Sequence, residues 1–198
     1  TDALQAASRM TPVDRGRAQL TLRSQVEAMR ALLDDLLDVS RLRFGRLALN
    51  KHEVTLRSVV DGALDTAHAL IDRRRHTLTV RLPDEEIRLE VDPTRMGQVL
   101  SNLLINAAKY TDEGGRIELR ASVQDDRCRI EVADNGKGLD EAARRSMFEM
   151  FWRASEVDIG SAQGMGIGLA VARSVVQMHD GTITAESAGP GKGTTVVI

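Results

Sequence analysis

The pattern of apolar and polar positions divides the chain into two unequal parts. From Arg17 to about Phe44, Leu22, Val26, Met29, Leu33 and Leu36 recur at alternating spacings of four and three, which predicts one long helix with a single apolar stripe. Leu32, Leu37 and Val39 widen that stripe beyond what one partner helix covers, so the helix is expected to sit in a bundle. Docking of the helix on its own domain is the alternative. Thr1 to Arg9 reads as a short helical piece, separated from the long helix by Pro12 and Gly16. After Gly45 the period changes. A short strand is expected around His52 to Leu56, then an amphipathic helix from Ser58 to about Arg73. Thr77 to Leu82 and Ile87 to Val91 read as strands separated by a polar turn at Pro83 to Glu86, and Pro93 starts a helix over Thr94 to Lys109. Arg116 to Val123 and Arg127 to Ala133 alternate around Gln124 to Asp126 as a hairpin does. A short helix is expected near Glu141 to Met147. Arg153 to Gly164 has no periodicity and reads as a mobile loop. Ile167 to His179 is again helical, and Thr182 to Ser187 and Thr194 to Ile198 close the chain as strands around the turn Gly189 to Gly193. The sum is an α/β sandwich, a mixed sheet with about three helices on one face, preceded by a long bundle-type helix. It splits into a helical region over 1–45 and a domain over 46–198.

Composition narrows the functional classes. With 198 residues and 42% hydrophobic content, the chain can bury one substantial core and a small appended element. Its 27 Lys and Arg against 29 Asp and Glu give no bulk attraction to nucleic acid or anionic lipid, so any phosphate binding must be local. Cys128 stands alone, which excludes an intramolecular disulfide, and its alternating apolar run predicts a buried, reduced thiol in a cytosolic protein. No stretch is long and apolar enough to cross a bilayer, and the residues from Thr1 do not read as a basic-then-apolar leader. The expectation is a cytoplasmic piece without membrane contact of its own, from a parent either membrane-anchored or soluble.

Four clusters carry candidate chemistry. Asn102 and Asn106 lie four apart, so both amides share one face of the helix after Pro93 while Val99, Leu103 and Leu104 point to the core. Asn is a poor interior helix residue, because its amide competes with the backbone. Two in register suggest neutral oxygen ligands for a hydrated Mg²⁺ beside phosphates, with Lys109 one turn on from Asn106. Alternatively these residues only cap and solvate the helix end. Next, Asp134-Asn135-Gly136-Lys137-Gly138-Leu139 comes directly after a strand: a carboxylate there accepts from an exocyclic amine such as that of adenine, and glycines let backbone approach a flat ligand. A purely conformational turn is the competing reading. Gly164-Met165-Gly166-Ile167-Gly168-Leu169 opens a helix whose free N–H groups suit a phosphate. Its spacing is not the dinucleotide G-x-G-x-x-G, and neither a Walker loop nor the His-Arg-Asp and Asp-Phe-Gly motifs occur. Lastly, Phe148-Glu149-Met150-Phe151-Trp152-Arg153 gathers three of the five aromatics and reads as anchors for one end of a lid, or else as ordinary core.

The succession N-L-L-x-N-A-x-K-Y-T, D-N-G-K-G-L, F-E-x-F and G-x-G-x-G-L, spread over Asp92 to Leu169, closely resembles the N, G1, F and G2 boxes of sensor histidine kinases. Asp34 to Arg41 is similar to the end of the second helix of their dimerisation and histidine-phosphotransfer hairpin, and His179 to Ile183 and Gly189 to Thr194 resemble their closing segments. The resemblance implies the Bergerat (GHKL) ATP fold shared with gyrase and the mismatch-repair ATPases. It implies Asn106 as the Mg²⁺ ligand, with Asn102 nearby, and Lys109 and Tyr110 along the phosphates and sugar. It further implies Asp134 on the adenine amine, supported by Gly136, Gly138 and Leu139, and Gly164, Gly166, Ile167, Gly168 and Leu169 on the phosphates. Thr194 joins the nucleotide-binding set, and Arg153 is the candidate for sensing the γ-phosphate. His179 reads as a structural residue favoured by a helix C-terminus, and His52, His68 and His76 as surface or packing residues.

The family's acceptor, a His followed by an acidic residue and then a Pro, is absent from all four histidines. By this alignment the acceptor falls just upstream of Thr1, and the chain ends inside the family's last strand. The expected function is therefore a catalytic fragment that binds ATP (or ADP) with Mg²⁺, does not phosphorylate itself, and transfers the γ-phosphoryl group to a histidine of a dimerisation hairpin outside this chain. A homodimeric parent and a response regulator receiver domain as partner are implied by the same resemblance, and the apolar stripe of the helix over 17–44, left without most of its hairpin partner, invites self-association. Two alternatives stand: a Bergerat-type scaffold without catalysis, and an anti-sigma-factor serine kinase, which the long bundle helix disfavours.

Overall fold

The computed structural model describes residues 47–153 and 166–198, together with Val26, Met29, Leu33, Leu36 and Leu37. Those five isolated positions are all helical and are 45–64% exposed, so the domain after them does not cover these five. The rest of the predicted helix over 17–44, the piece over 1–9 and most of the loop over 153–164 lie outside the described residues.

The domain begins with β1 (His52–Thr55), α1 (Leu56–Arg73), β2 (Thr77–Arg81), β3 (Arg88–Val91) and α2 (Pro93–Tyr110). It continues through β4 (Arg116–Gln124), β5 (Arg127–Asp134), α3 (Glu141–Ser146), α4 (Gly168–Met178), β6 (Thr184–Glu186) and β7 (Thr195–Val197). Five strands form a mixed sheet in the order β2-β4-β5-β7-β6, in which only the β2–β4 pair is parallel. β1 and β3 form a separate antiparallel pair. The two strands flanking the polar turn at Pro83 to Glu86 thus belong to different sheets.

Helices α1 and α2 each start where a side chain can cap them. Thr55 accepts the Ser58 N–H and so starts α1 two residues before the Ser58 expected from periodicity. Asp92 accepts the Arg95 N–H, and Pro93 occupies the first turn of α2, where its missing N–H costs nothing. Val59, Val60, Ala63, Ala67 and Ile71 of α1 are buried, as are Val99, Leu100, Leu103, Leu104, Ala107 and Ala108 of α2. α1 packs on α2, and α2 on α4 and on β4 and β5. This core makes α2 the central helix.

Both ends of α2 are tied down. Burial alone would raise the Asp92 carboxyl, but the N–H groups of Asn50 and Arg95, the Arg95 charge and the Thr94 N–H together hold it below the ordinary range. The Asp92 N–H in turn donates to His179 Nε2 at 3.0 Å, while His179 Nδ1 bonds to the Val175 carbonyl at 2.8 Å. With Nε2 as acceptor, the His179 ring joins the end of α4 to the start of α2. At the other end Arg74 Nη1 donates to the carbonyls of Ala108, Lys109 and Thr111, and His76 Nε2 bonds to Ala108 O at 3.0 Å. His76 is buried, and His52 and His68 are exposed. Cys128, expected to be buried, is half-buried near the hairpin tip, opposite Val123, and burial pushes its thiol up.

Candidate functional site

Ile130 and Val132 of β5 point inward, and the period of two puts Asp134 on the same face at the strand end. Its Oδ1 accepts the N–H groups of Gly136 at 2.8 Å and Thr194 at 3.2 Å. Burial pushes the Asp134 carboxyl above the ordinary aspartate range, opposed by those two N–H groups and by the nearby Thr111 hydroxyl. The hydroxyl acts by proximity only, because its geometry falls short of a hydrogen bond and Thr111 Oγ1 is buried without a partner among the described residues.

The turn after Asp134 is clasped from two sides. On one side, Lys137 N–H donates to Tyr110 O at 3.0 Å, which joins the turn to the last residue of α2. A Cβ on Gly136 would come within 2.3 Å of Tyr110 O, so only glycine allows that approach. On the other side Gly193 N–H donates to Gly136 O at 3.1 Å and Gly191 N–H to Lys137 O at 2.6 Å, while the Leu139 N–H reaches Ser187 Oγ at 3.0 Å. Asn135 Oδ1 accepts the Arg116 N–H and anchors the turn to the start of β4.

Along α2, Asn102, Ile105, Asn106, Lys109 and Tyr110 are half-buried and form one stripe opposite the core face. Asn102 Nδ2 donates to Gly168 O at 3.3 Å, which brings the first turn of α4 against the middle of α2. Among the described residues no side chain caps the start of helix α4, and the N–H groups of such a first turn suit an anion. Ile167 is buried and can offer only backbone there, and half-buried Leu169 packs on the core. Gly166 has φ +70°, and a Cβ on it would come within 2.4 Å of Trp152 O. The Phe151 N–H donates to Gly166 O at 2.9 Å.

The aromatic cluster splits. Phe148 is buried and Trp152 packs on the core, whereas Phe151 is 62% exposed at φ +66°. Arg153 is exposed. Gly164 lies outside the described residues.

The structure thus links Asp134, Gly136, Leu139 and Thr194 to the Tyr110 end of α2, and links Asn102 to Gly168; Asn106 lies between those two junctions. Gly138, at φ +65°, sits under the closing turn, where a Cβ would come within 2.2 Å of Gly189 O. Motif reading assigned no role to Thr111, Arg74 or Ser187. Thr111 and Arg74 had local hints, an extended residue directly after a helix and a cation beside a helix end, whereas Ser187 had none.

As a host for Mg²⁺ the site offers neutral amide oxygens. Among the described residues no group of three His, Cys, Asp or Glu side chains could hold a metal ion. The Asn106 amide oxygen is a hard donor of the kind that serves a Mg²⁺ retaining its waters and substrate phosphates.

Residues 91–198 match the protein family described as histidine kinase-, DNA gyrase B-, and HSP90-like ATPase. Sensor histidine kinase MtrB of Mycolicibacterium paratuberculosis is 33% identical over 162 residues, 82% of this chain and 28% of MtrB. The crystal structure of full-length ShkA in complex with AMPPNP matches at TM-score 0.75 and 25% identity, over 96% of this chain and 39% of that one. Histidine kinase ThkA in complex with response regulator protein TrrA matches at TM-score 0.70 over 95% of this chain and 51% of that one; at 20% identity it shows the fold. The chain spans less than a third of the length of the curated relatives it matches.

Proposed function

The chain belongs to the family of histidine kinase-, DNA gyrase B- and HSP90-like ATPases and carries a catalytic domain of the sensor histidine kinase type, and on that premise we propose that it binds ATP with Mg²⁺ and passes the γ-phosphoryl group to a histidine of a dimerisation hairpin in two-component signalling. One observation carries this reading. A partly buried carboxylate, with one oxygen already held by Gly136 and Thr194, sits on a turn hydrogen-bonded to the end of the helix that bears Asn102 and Asn106.

In this reading the other oxygen of Asp134 accepts the exocyclic amine of adenine, while Gly136, Gly138 and Leu139 present backbone to the ring. Asn106, with Asn102 beside it, holds the hydrated Mg²⁺. Lys109 and Tyr110 line the phosphates and the sugar, and the backbone of Gly164, Gly166, Ile167, Gly168 and Leu169 cradles the phosphates at the start of α4. Arg153 senses the γ-phosphate. The transfer breaks the bond from the γ-phosphorus to the β–γ bridging oxygen and forms one to a histidine nitrogen, with ADP leaving. The residues here contribute positioning and charge neutralisation.

None of the four histidines carries the acceptor pattern, so in this reading the receiving nitrogen belongs to a dimerisation-hairpin histidine outside residues 1–198. The uncovered stripe at Val26, Met29, Leu33, Leu36 and Leu37 supports pairing of this helix within a helical bundle, in a homodimeric parent or by self-association. A response regulator receiver domain is the downstream partner in this reading.

Fluorescent ADP titration tests the binding, and radiolabelled ATP with and without a supplied hairpin tests the transfer. Label should appear on the hairpin and never on the chain alone; label on the chain, or none on a hairpin in the presence of bound ATP, refutes the transfer. Asn106→Ala should weaken Mg-ATP about tenfold or more, corresponding to ~1.4 kcal/mol. The same variant should bind ADP like the parent protein once Mg²⁺ is chelated, and equal losses under both conditions would remove Asn106 from the metal site.

A further inference from the structure

Thr111, the residue after α2, is 2% exposed, and its Oγ1 is one of two buried side-chain polar atoms without a hydrogen-bond partner among the described residues. Native proteins seldom leave such a group unsatisfied, so one that persists asks for an explanation. The hydroxyl cannot turn away. A Cβ on Gly115 would come within 2.2 Å of Thr111 Cγ2 and a Cβ on Gly136 within 2.8 Å of Thr111 Oγ1, so two glycines accommodate the side chain, the methyl on one side and the hydroxyl on the other. The backbone is equally fixed, with Thr111 N–H donating to Ala107 O at 3.1 Å and Arg74 Nη1 donating to Thr111 O at 3.0 Å. The hydroxyl faces the Asp134 turn.

Resting on the reading of Asp134 as the acceptor for adenine, we propose that Thr111 is a specificity-determining positioning residue, its hydroxyl donating to the Asp134 carboxylate in the nucleotide complex and so fixing the direction in which that carboxylate accepts the 6-amine of a purine. Oδ1 is held by two backbone N–H groups, which fix its position but leave the carboxylate free to tilt about Oδ1. A third donor from the side of α2 removes that freedom. The helix that carries the metal and phosphate ligands then also orients the group that reads the base, because Lys109, Tyr110 and Thr111 are consecutive at its end. The Thr111 hydroxyl is also the one side chain that acts to keep Asp134 ionised, the form in which both carboxylate oxygens only accept.

The test compares ADP with inosine diphosphate, which carries a 6-oxo group in place of the amine. Thr111→Val keeps the shape and removes the donor, Thr111→Ala removes it without adding bulk, and Thr111→Ser restores it. With Val or Ala, ADP affinity should fall about tenfold, the scale of one hydrogen bond to a charged group. The weak binding of inosine diphosphate, which does not use the carboxylate as an amine acceptor, should stay as in the parent protein, and Ser should regain most of the ADP preference. If both nucleotides weaken together, Thr111 is merely structural; if ADP binding is unchanged, the hydroxyl plays no part. A parent protein that does not prefer ADP over inosine diphosphate would instead sink the reading of Asp134 itself, a result distinct from either.

Discussion

Replacing Asp134 by Asn is expected to cut ADP affinity about a hundredfold, ~2.7 kcal/mol, while raising the melting temperature of the unliganded protein at neutral pH. The two effects share one cause. Asn keeps an oxygen in the place of Oδ1, so the N–H groups of Gly136 and Thr194 remain satisfied and the turn holds. Its amide NH₂ takes the place of the second oxygen and meets the adenine amine donor to donor. In the unliganded protein, burial raises the Asp134 carboxyl in spite of the donors around it, so ionisation there works against folding. The folded chain begins to hold a proton on this group above the unfolded value of about 3.9. Between that value and the raised one the folded state binds more protons than the unfolded, so stability falls as pH rises through the window. Asn carries no such loss. Scanning calorimetry at several pH values, with an ADP titration beside it, checks the prediction: the melting advantage of the variant should be largest near neutrality and should shrink as pH falls toward about 4. A variant that melts lower than the parent protein at pH 7, or that binds ADP as tightly, would refute the role given to this carboxylate.

That site was legible in outline from the chain alone, and the reason is local. Asp134 stands at the end of an alternating run, Asn102 and Asn106 share a helix face, and glycines mark the turns, all features that neighbouring residues reveal. Helices α1 and α2 were legible for the same reason, their buried positions keeping a period of 3.6 and Asp92-Pro93 announcing the start of α2. The features that stayed hidden depend on partners distant in sequence. β2 and β3 are neighbours along the chain, yet β2 pairs with β4 and β3 with β1, a choice no local pattern encodes. His179 was placed at a helix end, but its acceptor role depends on Asp92, which lies 87 residues away. Thr111 looks like a simple helix stop until Gly115 and Gly136 are seen on either side of it. Cys128 alternates like a core residue, but its position opposite Val123 near the hairpin tip leaves it half-buried.

Three glycines of the clasp around Asp134 should separate backbone strain from steric exclusion when each is replaced by Ala. Gly191 has φ +73° and open space around a would-be Cβ, so Gly191→Ala pays only for the left-handed backbone, about 1 kcal/mol. Gly136 lies outside the left-handed region, but its Cβ would come within 2.3 Å of Tyr110 O and 2.8 Å of Thr111 Cα. Both are backbone atoms at the end of α2, held by Arg74 and by the helix itself, so Gly136→Ala must push the Asp134 turn away from α2. Gly193 combines the two problems, with φ +73° and a Cβ that would fall 2.0 Å from Asp134 O. Gly193→Ala is therefore expected to cost ~3 kcal/mol or more and to lower the melting temperature by roughly 6–12 °C for a chain of this size. The order of destabilisation should be Gly193, then Gly136, then Gly191, measured by thermal and denaturant unfolding. Binding should not rank in the same order. Gly136→Ala displaces the carboxylate from the helix that bears Asn106, so it should lose ADP affinity out of proportion to its lost stability, whereas Gly191→Ala should keep nearly all of it. Should Gly193→Ala melt with the parent protein, the closing turn cannot be what holds Asp134 in place, and the carboxylate would have to be fixed from the α2 side alone.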